Sequence, residues 1–421
     1  MKFILLALLL VPPQEDPRVA LLRDQAVKVR SSDPADEDFA DLQPLKKILE
    51  GRRIVLLGEQ SHGEGSVFLA KTRIIKFLHR EMGFDVLAME SGIVECREAW
   101  SRLLDGRPAP ESFSVGVFPI WTFSDQFQPL MDFVGSKARS PKPMELCGFD
   151  CQFPTAGGQG WRDARAALRK QFDDLVSKLA KPPVDGAALD AVMAAFDEKP
   201  PAEEGIAAAV DALEKLRAAL TPATLKGDER AFLGQALESL VATARNRGRK
   251  PGGMMADDFN WRDEQMGKNL VWLARTRYPK RKIVVWAATM HIARRVEGID
   301  SKRPGLSYKG VRPMGQVAAE SLGREMYVLG FDALRGKRGM VFQGREFDIP
   351  DAPDGSLADL ADKAGLATAW IDFTRLPEKS PLRGKMIARP LGNAPMEADW
   401  SQVVDGMFFQ ADVEASRPRK K

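Results

Sequence analysis

Short apolar runs alternate with amphipathic stretches from about residue 50 onward. Ile54-Val55-Leu56-Leu57 is an unbroken apolar run closed by Gly58, the pattern of a strand buried on both faces. The period then changes. Over Ser66 to Met82, Phe68, Ile75, Leu78 and Met82 share one helical face while Lys71, Arg73 and Lys76 lie elsewhere, and Gly83 stands where a helix C-cap falls. The same reading predicts strands over 85–90, 145–149, 282–287, 327–331 and 369–373, and a helix over 93–104. Strands alternating with helices in this way predict an α/β fold with a largely parallel central sheet flanked by helices.

One stretch departs from the alternation. Residues 161–250 are rich in Ala, Leu and Lys, and Pro182-Pro183 and Pro200-Pro201 divide them into separate helices. They are expected to form a helical insertion that caps the carboxyl edge of the sheet, which makes the core discontinuous, 40–160 and 255–410. Arg247 to Met255, with Gly248, Pro251, Gly252 and Gly253, reads as the returning loop. No internal repeat and no heptad seam is present.

The amino terminus does not read as part of the fold. Met1-Lys2 supplies charge, Phe3 to Val11 is apolar, and Pro12-Pro13 ends the run. That run is too short to span a bilayer, and residues 1–16 are expected to be an export signal, although no Ala-x-Ala site follows. The alternative is a short apolar helix packed on the domain. The expectation is an exported protein with no integral membrane segment after signal removal.

Composition narrows the classes. The chain has 62 Lys+Arg against 58 Asp+Glu, and its only short basic cluster is the tail Arg417-Pro418-Arg419-Lys420-Lys421, so nucleic acid is not expected as a partner. Three cysteines cannot all pair internally, and no Cys-x-x-Cys exists, which argues against thiolate zinc sites.

The candidate chemistry begins at Gly58-Glu59-Gln60-Ser61-His62-Gly63, directly after the first strand, where doubly wound sheets bind ligands. It lacks the Lys and Ser/Thr of a phosphate loop. It offers instead a carboxylate and an imidazole three residues apart, and a neighbouring carboxylate fixes a histidine's tautomer and raises its basicity. Gly-Glu-x-x-His alone is nonspecific. Its weight comes from the other strand ends: Glu90 closes the second strand, Asp150 the third, and His291 lies just past the fourth. Packing needs no charges there. Two of the chain's three histidines fall at these ends, and the third, His79, is assigned a structural or solvent-facing role.

These residues resemble the erythromycin esterase-like family of macrolide lactone hydrolases and their relatives. The resemblance rests on Leu57 to Gly63, Gly83 to Glu90, Trp121 to Phe133, Gly148-Phe149-Asp150, Arg262-Asp263 with Met266 and Asn269-Leu270, Val285-Trp286-Ala287 with His291, and Arg312 to Gly315. The pieces cover most of residues 40 to 335. The resemblance implies hydrolysis of a small-molecule ester or lactone without a serine nucleophile, a cofactor or a metal. His62 would be the base that activates water, Glu59 its orienting partner, Glu90 a member of the charged network, and His291 the group that stabilises the oxyanion or protonates the leaving alcohol. Arg73, Trp121, Asp150 and Arg262 would contact substrate. One departure stands out. The family's fourth strand commonly ends Trp-Ala-His-Asn-x-His, and here Ala288 and Thr289 replace the first His and the Asn.

Blander readings stand beside these. Glu59 and Glu90 could pair with Lys71 or Arg73 in a structural ion-pair network, Asp150 and Arg262 read as readily as structural, and Trp121 and Trp286 read as core aromatics. Two other functions use the same residues. One is a metal-dependent hydrolase or a metal- or haem-binding protein with His62, His291, Glu59 and Glu90 as ligands. The other is an exported binding protein without chemistry, as Ala288 would allow.

Overall fold

Among the described residues eleven strands form in chain order: β1 Val27–Lys28, β2 Ile54–Leu57, β3 Phe84–Gly92, β4 Glu145–Asp150, β5 Lys282–Trp286, β6 Met326–Arg338, β7 Phe347–Ile349, β8 Thr368–Asp372, β9 Lys385–Ala388, β10 Met396–Asp399 and β11 Gly406–Val413. This computed structural model describes residues 15–152, 159–179, 181–197, 199–222, 225, 227–247, 249 and 255–419. Residues 1–14 of the expected export segment lie outside them, as does most of the 247–255 loop. Among the described residues no helix is long and apolar enough to cross a membrane.

The main sheet runs β1-β8-β11-β6-β2-β5-β3-β4, with β7 beside β6. The six strands from β11 to β4 are mutually parallel, and the antiparallel pairings are confined to β1, β7 and β8. The largely parallel sheet expected from the apolar runs is therefore present. β2, with all four residues fully buried, lies at its centre. Alternate β2 residues serve two cores: Ile54 and Leu56 face one layer with Val86 and Ile283, and Val55 and Leu57 face the other with Leu87 and Val284. Each such aliphatic side chain contributes about 1.5–3 kcal/mol on burial.

Several parts of the sheet differ from the sequence reading, which did not expect β1 or β7. β6 continues to Arg338, seven residues past the predicted end at 331, and β11 occupies an unpredicted place between β6 and β8. β3 also continues two residues past Glu90, to Gly92. Its register against β4 shifts between Met89 and Gly92, and such an irregularity re-aims the side chain it carries, here Glu90.

The helix Gly65–Met82 packs against the sheet and ends at Gly83, whose φ of +71° is the left-handed C-cap that glycine adopts without strain. Between β4 and the helix Met255–Trp272 lie four helices, Gln159–Ser177, Gly186–Ala195, Glu203–Ala218 and Gly227–Arg247. They bury a core of their own, including Leu189, Phe196, Leu213 and Leu237, which also takes in Ile93 and Val94 of the helix Ile93–Leu104 leaving β3. Cys96, Cys147 and Cys151 are all buried free thiols.

Candidate active site

Register brings the strand ends to one level. Leu57 of β2 and Met89 of β3 both stand opposite Trp286 of β5, and Met89 also stands opposite Gly148 of β4. Past these positions the four chains release Glu59, Glu90, Asp150 and the short helix Thr289–Ile292 that carries His291. Gly58 starts the turn after β2 because nothing larger fits: a Cβ there would lie 2.3 Å from Thr289 Oγ1 and 3.0 Å from the Leu329 carbonyl. The Thr289 N–H then donates to the Glu59 carbonyl at 2.9 Å, which ties the turn to the segment after β5.

Glu59 is fully buried and its two oxygens are divided. Oε1 accepts from His62 Nδ1 at 2.8 Å and Trp121 Nε1 at 3.0 Å, and Oε2 accepts from Lys71 Nζ at 2.7 Å. Lys71 is buried too, its ammonium 3.8 Å from the centroid of the Trp286 ring. With Nδ1–H given to Glu59, His62 leaves Nε2 as the accepting nitrogen of the neutral ring. Its side chain keeps 26% of its surface exposed. Glu64 braces the turn by accepting from the Ser61 N–H and hydroxyl and from the Asn393 amide.

A second network meets the first from β3, β4 and the helix Met255–Trp272. Arg262 donates to Asp150 through Nε at 3.1 Å and Nη2 at 2.6 Å, and to Glu90 Oε1 at 2.9 Å. Glu90 Oε2 accepts the Ala288 N–H at 2.8 Å. His291 gives Nδ1–H to Asp263 at 2.9 Å, and its Nε2 lies 3.2 Å from Glu90 Oε1 and 3.1 Å from Arg262 Nη1. Asp263 also accepts the Met314 N–H at 2.8 Å. Phe259 lies flat against the His291 ring, with centroids 5.2 Å apart and planes 4° apart.

These environments set the two histidines apart. Burial works against a charge on His291, but Asp263 and Glu90 outweigh it and push the ring up to about 10, so it is an imidazolium at neutral pH. Burial likewise opposes charge on His62, and the hydrogen bond to Glu59 with the field of Glu90 leaves it only raised. Against the cost of burial, His291 and Arg262 hold Glu90 well below the usual carboxylate range, whereas burial pushes Asp263 up. Burial brings Lys71 down to about 8 despite Glu59. Both rings are therefore shifted toward the protonated form, His291 by Asp263 and Glu90 and His62 by Glu59 and Glu90.

The structure gathers His62, Glu59 and Trp121 in one network and Glu90, His291, Asp150 and Arg262 in a second, joined through the backbone of Ala288 and Thr289. Arg73 is part of neither. Arg73 is 1% exposed and turned to the amino-terminal segment, where it meets both oxygens of Asp41 and the carbonyls of Ser31, Asp36 and Asp38. The expectation that Arg73 contacts substrate is therefore corrected: its hydrogen-bonding capacity is spent on that segment. Asp150 and Trp121 are fully buried and hold Arg262 and Glu59 in place. His79 is buried, with Nδ1 2.7 Å from the Phe84 carbonyl. Sequence reasoning did not assign Asp263 or Phe259 to the site, and it considered Lys71 only as an ion-pair partner. A signal existed: Phe259, Arg262 and Asp263 share one helical face by their i, i+3, i+4 spacing.

The donor set fits a metal poorly. Among the described residues no group of three or more His, Cys, Asp or Glu is disposed to hold one. Lys71 already meets Glu59, and Arg262 already meets Glu90 and Asp150.

The chain is 27% identical over 386 residues to YbfO of Bacillus subtilis, which bears a hydrolase name, covering 83% of this chain and 81% of that one. It is 21% identical over 420 residues to erythromycin esterase type II from Escherichia coli, covering 92% and 96%. A Bacillus cereus crystal structure superposes with a TM-score of 0.77 at 18% identity, covering 97% of this chain and 100% of the other, which shows the shared fold. The family model described as Erythromycin esterase matches residues 79–409, well over half of the sequence, and the chain belongs to that family.

Proposed function

We propose that the protein hydrolyses a carboxylic ester or lactone with a water activated by His62. The observation that carries this reading is the 2.8 Å hydrogen bond from His62 Nδ1 to the buried Glu59, which leaves Nε2 to accept a proton beside the charged network. Water adds to the acyl carbon as its proton passes to His62 Nε2. The oxyanion forms in the positive field of Arg262 and the His291 imidazolium. The tetrahedral intermediate then expels the alkoxide, which takes a proton from His62 or His291, giving one acid and one alcohol for each ester and water consumed. A positioned base contributes about 10²–10⁴-fold.

The available serines support a reaction without a serine nucleophile. Ser61 donates to Glu64 and Ser91 accepts from the Phe118 N–H, so neither is activated by a histidine. Half-buried Phe118, stacked near Trp121, and half-buried Phe259 line the approach with aromatic surface and favour a substrate with a large apolar part. The name of the type II esterase supports a macrolide lactone as the first compound to test.

The experiment is mass spectrometry of macrolides, simple lactones and aryl esters incubated with the wild type and with His62→Ala, in ¹⁸O-water, with and without chelator. The expected result is one labelled oxygen in the acid product, unchanged by chelator and lost in the variant. Turnover abolished by chelator would establish the metal-dependent reading instead. Ligand binding without turnover, restored to turnover by Ala288→His, would identify a binding protein with a disabled site.

A further inference from the structure

Away from the histidines, an open cleft of about 490 Å³ lies between the helix Met314–Leu322, the short helix Trp400–Val403 and the residues that lead into β2 and β6. Arg52 and Arg324 each stand two residues before their strand, so the cleft opens beside strand amino ends, whereas His62 and Glu90 lie at carboxyl ends. Arg294 and Arg295 close it from the segment that follows His291.

The charge on this cleft is not balanced. Arg294 is neutralised by Asp405, at 2.7 Å. Glu320, the other acid on the wall, is 2.6 Å from Arg312. The remaining three guanidiniums have no carboxylate partner among the described residues. Arg52 donates only to the carbonyls of Arg324 and Met326, and Arg295 donates to the side-chain oxygen of Gln402 at 2.6 Å. The Arg324 guanidinium lines the cleft with no hydrogen-bond partner among the described residues.

Two further features belong to arginines that line the cleft. Arg294 Nε is buried without an acceptor. Arg295 holds φ at +49°, a left-handed backbone that a non-glycine residue adopts at a cost of about 1 kcal/mol or more. Its N–H is fixed there by Gln316 Oε1, at 3.1 Å. Guanidinium groups gathered around one concavity repel one another, and planar forks of this kind match the oxygens of phosphate and carboxylate groups.

We propose that this cleft is a binding site for a small polyanion, a molecule carrying at least two negative charges on phosphate or carboxylate groups. Arg295 and Arg324 would grip it directly, Arg52 would supply its remaining donors, and the Gln402 amide N–H would give a neutral hydrogen bond at its edge. The site is separate from the ester-cleaving centre and does not depend on the reading of that centre.

The test is isothermal titration of the full-length protein at low ionic strength with pyrophosphate, inorganic phosphate and tricarballylate in separate arms. The same titrations are made on the double variant Arg295→Gln/Arg324→Gln. Both side chains are exposed, so the variant is expected to keep its melting temperature without ligand. The expected result is saturable one-to-one binding of at least one polyanion, weakened at least about 10-fold in the variant, equivalent to about 1.4 kcal/mol. The arm that binds most tightly distinguishes phosphate from carboxylate chemistry. Failure of every probe to saturate the wild type, or equal affinity in the variant, would overturn the proposal. So would heats that vanish for wild type and variant alike at physiological salt, since that marks diffuse surface charge.

Discussion

Replacing Asp263 with Asn removes one negative charge from the His291 ring and little else. The side chains are nearly the same size, and the amide oxygen can still accept from Nδ1. In the native protein the ring stands at about 10 against an ordinary 6.5, with Asp263 the largest contribution opposing burial. At 1.36 kcal/mol per unit that difference is worth roughly 5 kcal/mol to the folded protein. The sign follows from linkage. A group whose folded value is raised stabilises in full below about 6.5, and its contribution is lost as pH rises through about 10. An opposite charge at hydrogen-bonding distance is worth about 1–3 units, so the variant is expected to bring His291 down by about 2. Relief of Asp263's own burial offsets part of the loss, because burial raises that carboxyl. The gross loss at pH 6–7 is about 2.7 kcal/mol, the net destabilisation after that offset is about 1–2 kcal/mol, and it shrinks toward zero above pH 10.

Two assays read this prediction. Only three histidines are present, so their ring resonances can be assigned with His62→Gln and His79→Gln and followed from pH 5 to 11. Urea denaturation of wild type and Asp263→Asn at several pH values gives the stability difference. The difference is the quantity to follow, because Lys71 acts in the opposite sense. Its folded value of about 8 lies below the ordinary 10.5, so its burial penalty is present in full below about 8 and is relieved as pH rises from there to 10.5. A His291 ring that titrates near 6.5 in the wild type would refute the reasoning. So would an Asp263→Asn variant whose ring titrates where the native one does.

Glu59→Gln should be the most damaging single change at the first turn, costing about 3–5 kcal/mol because it strands a buried ammonium. It should also lower turnover by about 10²-fold or more by releasing His62. Lys71→Met, which leaves Glu59 still held by His62 and Trp121, should cost less in thermal melts and shift the pH profile of turnover instead. Arg73→Ala should cost several kcal/mol by leaving Asp41 without its buried partner, yet leave KM of the folded enzyme unchanged; a raised KM would return Arg73 to the substrate. Gly58→Ala should destabilise by about 1–3 kcal/mol through overpacking against Thr289, read by denaturation, and a neutral result would show that the turn can relax.

The strands that carry the site were readable because a parallel strand covered on both faces must be a contiguous apolar run, as 54–57 and 283–286 are. Ionisable residues just past such runs then stood out. β11 escaped the same reading: Gln410 and Asp412 interrupt its apolar residues, and its neighbours β6 and β8 are not next to it in sequence. Asp263 escaped because its partner, His291, comes from another element, and the helix 255–272 has acidic residues, Asp257 and Asp258, in its first turn as well as at 263.

Arg73 was misread for a more instructive reason. A helical period sorts residues into a buried stripe and a solvated one, and Lys71 and Arg73 were placed only off the apolar face. The helix 65–82 has no broad solvated stripe in this part, since Val67, Phe68, Ala70, Thr72, Ile74 and Ile75 are buried along with both cations. Two residues on a helix differ by about 200° in direction. Lys71 therefore turns to Glu59 under the site, while Arg73 turns to Asp41 and the carbonyls of the amino-terminal segment. Charge on a buried helix persists only where a partner meets it, and here the two partners lie on opposite sides. The helix is thus fastened at once to the turn after β2 and to residues 31–41. Loosening that amino-terminal segment should reach His62 through Lys71 and Glu59, although no residue of the segment belongs to the site.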